Sequence, residues 1–370
     1  MEHPKGKCPV SGIMLNKHTL NSANSHIGRG SRMIKAAVVG GSGYIGGELA
    51  RLLSRHPKIS LEAITSRQLA GQQVSDTHPF LRGYVDLEFT ESVTGEGLDV
   101  VFLATPHGAS MKLAPEIARS GAKVIDLSGD YRLKDPAVYK KWYGHEHADL
   151  ENLGKAVYGL NELYWDEIAE ADFVANPGCY PTCSALGLAP LFANHLVEGG
   201  VIIDAKSGTS GAGAEPTKAT HHPQCGASVN PYKVGTHRHT PEIAQTLTRL
   251  QGRLAEVVFT PHLIPVVRGM LCTMYLKLND DLTKQELLGV YTEFFRRKRF
   301  VRMTEVPWMQ AVIGSNHCEV GLEMVGDRNV VVMSAIDNLV KGGAGQAVQN
   351  CNAMFGWPEE TGLDFPGLGV

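Results

Sequence analysis

Ile34-Lys35-Ala36-Ala37-Val38-Val39-Gly40-Gly41-Ser42-Gly43-Tyr44-Ile45-Gly46 decides the fold. The apolar run Ile34 to Val39 reads as a buried strand, and Tyr44 to Leu53 reads as a helix. Between them lies Gly41-Ser42-Gly43-Tyr44-Ile45-Gly46, a G-x-G-x-x-G pattern. A strand before it and a helix after it give that pattern its meaning. Gly41 serves a tight turn, Gly43 lets backbone approach a pyrophosphate, and Gly46 lets helix and strand pack closely. The N–H groups that open the helix suit a phosphate.

The alternation continues outward. Leu61 to Ile64, Asp99 to Ala104 and Lys123 to Leu127 are further strands, and Gly108 to Ser120 is a helix between the last two. Short apolar strands separated by helices predict a Rossmann-type, doubly wound parallel sheet, hence an α/β domain. At the end of the second strand, NAD-binding folds carry an acid for the ribose 2′-OH. Here Thr65-Ser66-Arg67-Gln68 stands there, and Glu62 lies inside the strand. Hydroxyls and a guanidinium suit a 2′-phosphate, so NADP(H) is expected, held by Gly41 to Gly46 and Ser66, Arg67 and Gln68.

A second decisive stretch is Asn176-Pro177-Gly178-Cys179-Tyr180-Pro181-Thr182, preceded by the apolar Phe173-Val174-Ala175. A helix-like run, Thr182 to Leu196, follows it. Pro177 and Gly178 predict a sharp turn that presents the Cys179 thiol at a helix mouth, where the dipole favours the thiolate. Cys183, one turn on, is expected in the core. Beyond Cys179 the rhythm changes. Val201 to Ala205, Ala255 to Phe259, Leu271 to Leu278 and Asn329 to Ile336 read as longer strands, with helices Thr240 to Leu250 and Thr283 to Arg297. That predicts an α+β second domain with a mixed sheet. The chain closes with a helix from Asn338 to Met354. The expected boundaries are an extension 1–32, a nucleotide domain 33–178 completed by 338–370, and a catalytic domain 179–337.

Thr236-His237-Arg238-His239-Thr240-Pro241-Glu242-Ile243 supplies the base. Thr240 is a candidate N-cap, Pro241 suits the first helical turn and Glu242 adds charge there. The histidines therefore sit on a loop, where an imidazole near Cys179 would move its proton. Alternate spacing puts His237 and His239 on one side, so both remain candidates. Ser207-Gly208, in the loop Lys206 to Gly213, offers donors to a phosphate or carboxamide. Arg132 and Arg268 are isolated cations fit either for a substrate anion or for structural ion pairs.

Composition sets limits. The 370 residues are 43% hydrophobic and 20% charged, with a net charge of −3. Nothing in that balance favours nucleic acid or an anionic membrane, and no apolar run approaches a bilayer span. The seven cysteines (8, 179, 183, 225, 272, 318 and 351) are scattered without C-x-x-C pairs. A disulfide framework or metal site is not expected, and a reducing, cytoplasmic setting fits. Residues 1–32 hold Lys5, Lys7, Lys17, Arg29 and Arg32 against a single acid, Glu2, and read as an unordered extension.

From Met33 to Val370 the chain resembles the N-acetyl-gamma-glutamyl-phosphate reductase family. The resemblance rests on Gly41–Gly47, Asn176–Thr182, Ser207–Gly213, His237–Ile243, Arg268-Gly269 and Ala335–Gly342. It implies that Cys179 is the nucleophile, that His237 is the base, and that Ser42 to Ile45, Ser66 to Gln68 and Asn338 contact NADP. It also implies a homodimer or homotetramer acting on a small acyl phosphate and releasing inorganic phosphate. Ala70-Gly71, His78 to Gly83, His221-His222-Pro223 and Gly362 to Leu368 look similar to a sister branch. Enzymes of that branch reduce aminoadipyl or glutamyl phosphate carried on an acidic protein, but typically lack the Pro177 and Tyr180-Pro181 pattern. Aspartate-semialdehyde dehydrogenase, which shares the chemistry with different cysteine and histidine motifs, and a non-catalytic NADP-binding regulator are the remaining alternatives.

Overall fold

The computed structural model describes residues 32–369; the expectation of an unordered extension therefore lies almost wholly outside the described residues. The first sheet contains β1 (Ile34–Val39), β2 (Ile59–Thr65), β3 (Phe89–Thr90), β4 (Val100–Leu103), β5 (Lys123–Asp126), β6 (Val157–Tyr158) and β7 (Phe173–Ala175). Their spatial order is β3-β2-β1-β4-β5-β7-β6, and every pairing is parallel. Strand order reverses between β1 and β4, which opens a crevice beyond Val39 and Leu103. That switch point is where open α/β sheets bind ligands.

The second sheet contains β8 (Val197–Ser207), β9 (Asn230–Pro231), β10 (Val257–Leu263), β11 (Met270–Leu278), β12 (Val301–Met303), β13 (Cys318–Val325) and β14 (Asn329–Ile336). Its order is β12-β13-β14-β11-β8-β10-β9. Pairing is mixed: β8 with β10 and β12 with β13 are parallel, the others antiparallel. This is the architecture expected of the sequence.

The longer helices are α1 (Tyr44–Leu53), α2 (Ser110–Arg119), α3 (Pro136–Tyr143), α4 (Asn161–Ala169), α5 (Cys179–Ala193), α6 (His239–Gln251), α7 (Lys284–Phe295) and α8 (Gly345–Met354). Helix α5 is apolar on every side, and all its residues from Tyr180 to Phe192 are buried. A helix without a polar face belongs inside a core. One continuous apolar cluster joins α1, α5 and the inner faces of both sheets, while a second fills the other face of the first sheet.

Several boundaries differ from the sequence reading. Helix α5 begins at Cys179 itself, three residues before Thr182. Helix α6 starts at His239 after Arg238, and Thr240 does not cap it: its Oγ1 is buried without a partner. The expected helix from Asn338 instead opens with a π-type turn, Val340–Ala344, before α8. That wider turn accommodates glycines packed between Cys179 and Ile45.

Candidate active site

The glycine turn after β1 divides its tasks among four glycines. Gly40, not Gly41, takes the left-handed conformation (φ +83°), which corrects the role expected of Gly41. Gly41 instead lacks room: a Cβ there would lie 2.0 Å from Ile64 Cγ2. A Cβ on Gly46 would lie 2.6 Å from the Gly40 carbonyl oxygen, so this glycine lets α1 pack on the turn. At Gly43 a Cβ would meet nothing within 4 Å, so that backbone faces open space. The N–H groups of Tyr44 and Ile45 follow, in the first turn of α1. His78 braces the turn by bonding Gly41 O at 2.8 Å. Sequence reasoning missed this role; Gly47, where a Cβ would strike the His78 ring, was its only local trace.

At the end of β2 the Ser66 hydroxyl lies 3.3 Å from that of Ser42. Arg67 and Gln68 are exposed. Arg67 borders a cavity of about 590 Å³ shared with His107, Gly108 and Lys112. Two cations, Arg67 and Lys112, on one cavity beside the strand that binds ribose in such folds suit a phosphate. On the other side of the crevice, Asn338 is held rigidly. Its Oδ1 accepts the Gly269 N–H at 2.8 Å, and its Nδ2 donates to Ser210 Oγ at 2.9 Å. The loop carrying Ser207 and Gly208 is pinned by the Gly208 N–H bond to Gly269 O. A Cβ on Gly208 would lie 2.6 Å from Val267 O, so only glycine fits there.

Cys179 is the first residue of α5, and it is partly exposed. Gly178 before it is extended (φ −70°), so a strained turn is not its reason for being glycine. Space is the reason: a Cβ there would stand 2.4 Å from His239 Nε2 and 2.9 Å from Arg132 Nη1. Gly342 closes the other side, where a Cβ would lie 2.7 Å from Cys179 Cβ.

Arg132 and Glu242 form the buried floor of this site. Arg132 donates from Nε to Asn176 O (2.8 Å) and from Nη2 to Leu127 O (2.7 Å), while Nη1 lies 3.5 Å from Glu242 Oε2. Its Nη1 also lies 3.4 Å from His239 Nε2. Glu242 Oε1 accepts the Gly178 N–H and the Tyr158 hydroxyl, each at 2.8 Å. The sequence reading placed Glu242 only as helix-turn charge and missed this function.

The two histidines lie against Tyr180, with ring centroids 5.6 Å (His237) and 5.9 Å (His239) from its own. The His239 N–H donates to His237 Nδ1 at 3.1 Å. His239 Nδ1 is buried with no partner. Burial, then the charges of Lys233 and Arg238, hold the His237 imidazolium down to about 4. Burial, then His237 and Arg132, hold His239 well below the usual histidine range. Both rings are therefore neutral near pH 7. Burial pushes the Cys179 thiol up to about 12, opposed chiefly by Arg132 and by the Tyr180 N–H. Desolvation thus opposes the thiolate that the helix mouth is expected to favour.

Arg268 stands elsewhere. Its Nη2 lies 2.6 Å from Glu48 Oε2 in α1 and its Nη1 3.4 Å from Asp337 Oδ2 beyond β14. These contacts make Arg268 an ion-pair brace between α1 and the turn after β14. Among the described residues no group of three or more histidine, cysteine or acidic side chains is arranged for a metal. Within the same residues, no helix is long and apolar enough to cross a membrane.

A glycine-lined switch point and a thiol at the mouth of a buried helix together define a dehydrogenase of the semialdehyde type. Residues 35–171 match the family model described as semialdehyde dehydrogenase, NAD binding domain. Residues 179–338 match semialdehyde dehydrogenase, dimerisation domain. The chain is 50% identical over 343 residues to an N-acetyl-gamma-glutamyl-phosphate reductase of Methanopyrus kandleri, covering 90% of this chain and 99% of that protein. It is 50% identical over 339 residues to the enzyme of the same name in Methanosarcina mazei (90% and 98% covered). The chain belongs to the N-acetyl-gamma-glutamyl-phosphate reductase family of the semialdehyde dehydrogenases. Its fold is shared with aspartate semialdehyde dehydrogenase II of Vibrio cholerae, at a TM-score of 0.69 and 15% identity over 88% of this chain and 99% of that one. It is shared too with the Candida albicans aspartate semialdehyde dehydrogenase solved with NADP, at a TM-score of 0.64, 14% identity and 87% and 98% coverage.

Proposed function

We propose that this chain reduces N-acetyl-L-glutamyl 5-phosphate with NADPH to N-acetyl-L-glutamate 5-semialdehyde and phosphate, through a thioester on Cys179, in arginine biosynthesis. The observation that carries the reading is the Cys179 thiol at the N-terminus of α5, with the Arg132 charge acting on it, His239 against Gly178 and His237 against Tyr180. NADP(H) is supported by the open backbone at Gly43, by Ser66 and Arg67 where an acid would suit NAD, and by Asn338 beside Ser207 and Gly208.

The thiol gives its proton to His237, whose low proton affinity lets it pass the proton on to the departing phosphate. To accept at Nε2, the ring takes its other tautomer and releases the His239 N–H from Nδ1. Sulfur bonds to the acyl carbon as the C–O bond to phosphate breaks. NADPH supplies a hydride to the thioester when bound. The Cys179 N–H, at the first position of α5, is the backbone donor this reading assigns to the resulting oxyanion. Collapse of the thiohemiacetal releases the aldehyde and the sulfur, which is reprotonated from solvent. Arg132 keeps positive charge beside the sulfur throughout, and Arg238 and Lys233 add charge for the phosphoryl group.

The oligomer is proposed as a homodimer or homotetramer built on the outer face of the second sheet. Val258, Ile202 and Tyr275 are neighbours in register there and are 60%, 53% and 43% exposed. The domain boundaries at 33, 178 and 338 and a cytoplasmic location belong to the same proposal.

Cys179→Ser should abolish phosphate-dependent NADP+ reduction by the semialdehyde while leaving the NADP+ dissociation constant unchanged. Undiminished turnover in that variant would sink the thioester route. The same assay with a carrier-linked semialdehyde tests the substrate; strong preference for it would move the chain to the sister branch.

A further inference from the structure

A cavity of about 460 Å³ lies between α4 and the segment after α7, and it shares no lining residue with the surroundings of Cys179 described above. Asn161, Tyr164, Asp166, Arg297, Lys298 and Glu359 are on its wall. Two of its buried polar atoms, Asn161 Oδ1 and Tyr164 Oη, have no hydrogen-bond partner. Leaving such atoms unmet is costly, so native interiors seldom do it. Helix α4 breaks its own geometry at Tyr164 (φ −131°, ψ 30°), the residue that faces this wall.

The charges divide by sign. Arg249 pairs with Glu167, and both Glu359 oxygens accept bonds, from the Arg299 N–H (2.9 Å) and from Gln349 (2.7 Å). Arg297, Lys298 and Asp166 form no ion pair among the described residues. A ligand that uses all of these groups carries an anion and a cation a few bonds apart. A simple anion would leave Asp166 and the orphan acceptors unmet, and a simple cation would face two like charges.

We propose that this cavity binds a small zwitterion of the α-amino acid class, with its carboxylate on Arg297 and Lys298 and its ammonium on Asn161 Oδ1, Tyr164 Oη and Asp166. Occupancy is felt at Cys179 through an asparagine chain. Asn161 Nδ2 donates to Asn350 Oδ1 (2.6 Å), and Asn350 Nδ2 donates to Asn176 Oδ1 (2.9 Å). The Asn176 carbonyl in turn accepts from Arg132 Nε (2.8 Å), three residues before Cys179. A ligand on Asn161 Oδ1 polarises the first bond of that chain.

Calorimetric titration of the wild-type protein, without substrate or NADP, with each common L-α-amino acid tests the site independently of turnover. Deamino and decarboxy analogues of each are run beside it, up to about 10 mM, past the about 1 mM Kd of a weak small-ligand site. Saturable binding of one equivalent per chain is expected for at least one amino acid and for neither of its analogues. Arg297→Ser and Asp166→Asn should each weaken it about tenfold, the scale of a lost charge-assisted hydrogen bond, with basal turnover unchanged. Saturating ligand should change the rate of Cys179 alkylation by iodoacetamide by about twofold or more, the small end of site-to-site coupling, and not do so in Arg297→Ser. Absence of saturable binding, binding of an analogue alone, or affinity untouched by both substitutions overturns the site. An unchanged alkylation rate at saturation overturns the coupling.

Discussion

Glu242 holds the backbone of the cysteine loop, a tyrosine and an arginine with two oxygens, all out of water. Removing one partner of a buried pair leaves the other charge uncompensated, which costs roughly 3–5 kcal/mol. Glu242→Gln should therefore lower Tm markedly, and should cut kcat by more than about tenfold because Arg132 and Gly178 frame the thiol. A thermal melt and steady-state kinetics check both; near-wild-type values would remove Glu242 from the site. The sequence showed an acid in a first helical turn and nothing of its burial, because a charge's partners come from elements far along the chain. Arg268 illustrates the same limit: a lone cation in an apolar run is compatible with a ligand or a brace, and its Glu48 partner lies 220 residues away. The place of Cys179 at the head of a helix was legible because a Pro-Gly pair before a helical run marks it.

At the scale of elements, the glycine turn and its helix separate fold from binding. Gly46→Ala drives a Cβ into the Gly40 backbone and should unfold or strongly destabilise the first sheet. Gly43→Ala meets nothing in the protein, so Tm should hold while the NADP+ dissociation constant rises at least tenfold, about 1.4 kcal/mol. Equilibrium binding beside a melt discriminates them; equal losses of stability would refute the division of labour. The strands and helices nearest this turn were readable because periodicity and glycines agree there: β1 and α1 have the boundaries expected. The starts of α5 and α6 were not, since proline and threonine cues permit several first residues. Packing selected among them, with His239 drawn into the helix beside Arg132. The π-type turn before α8 was equally hidden, because it answers to Cys179 and Ile45 rather than to its own sequence.

For the whole molecule, acid should be the weak side. His56, His107, His147, His237, His239 and His317 are all held below the ordinary value of 6.5, in each case first by burial. Unfolded, they bind protons near pH 6.5; folded, His107 waits until about 3, and His237 and His317 until about 4. The unfolded state then binds more protons, so stability present above pH 6.5 is lost as pH falls toward 4. Asp126, raised by burial from 3.8 to about 6, and Glu359, also raised first by burial, work oppositely in the acid range but are two groups against six. Tm at pH 5 should lie several degrees below Tm at pH 7; a flat profile would contradict these burials. Introducing Ile202→Lys with Val258→Lys should convert the proposed oligomer to monomers in sedimentation, since both stand on the exposed apolar row.

The burial of α5 on every side also fixes where motion can occur. Its amides should be among the last to exchange with deuterium, since opening them means opening the core shared by both sheets. The Cys179 sulfur, at the head of that helix, is in effect the stationary anvil of the proposed reaction. In the proposed reaction, substrate and cofactor therefore come to a thiol whose helix stays in place.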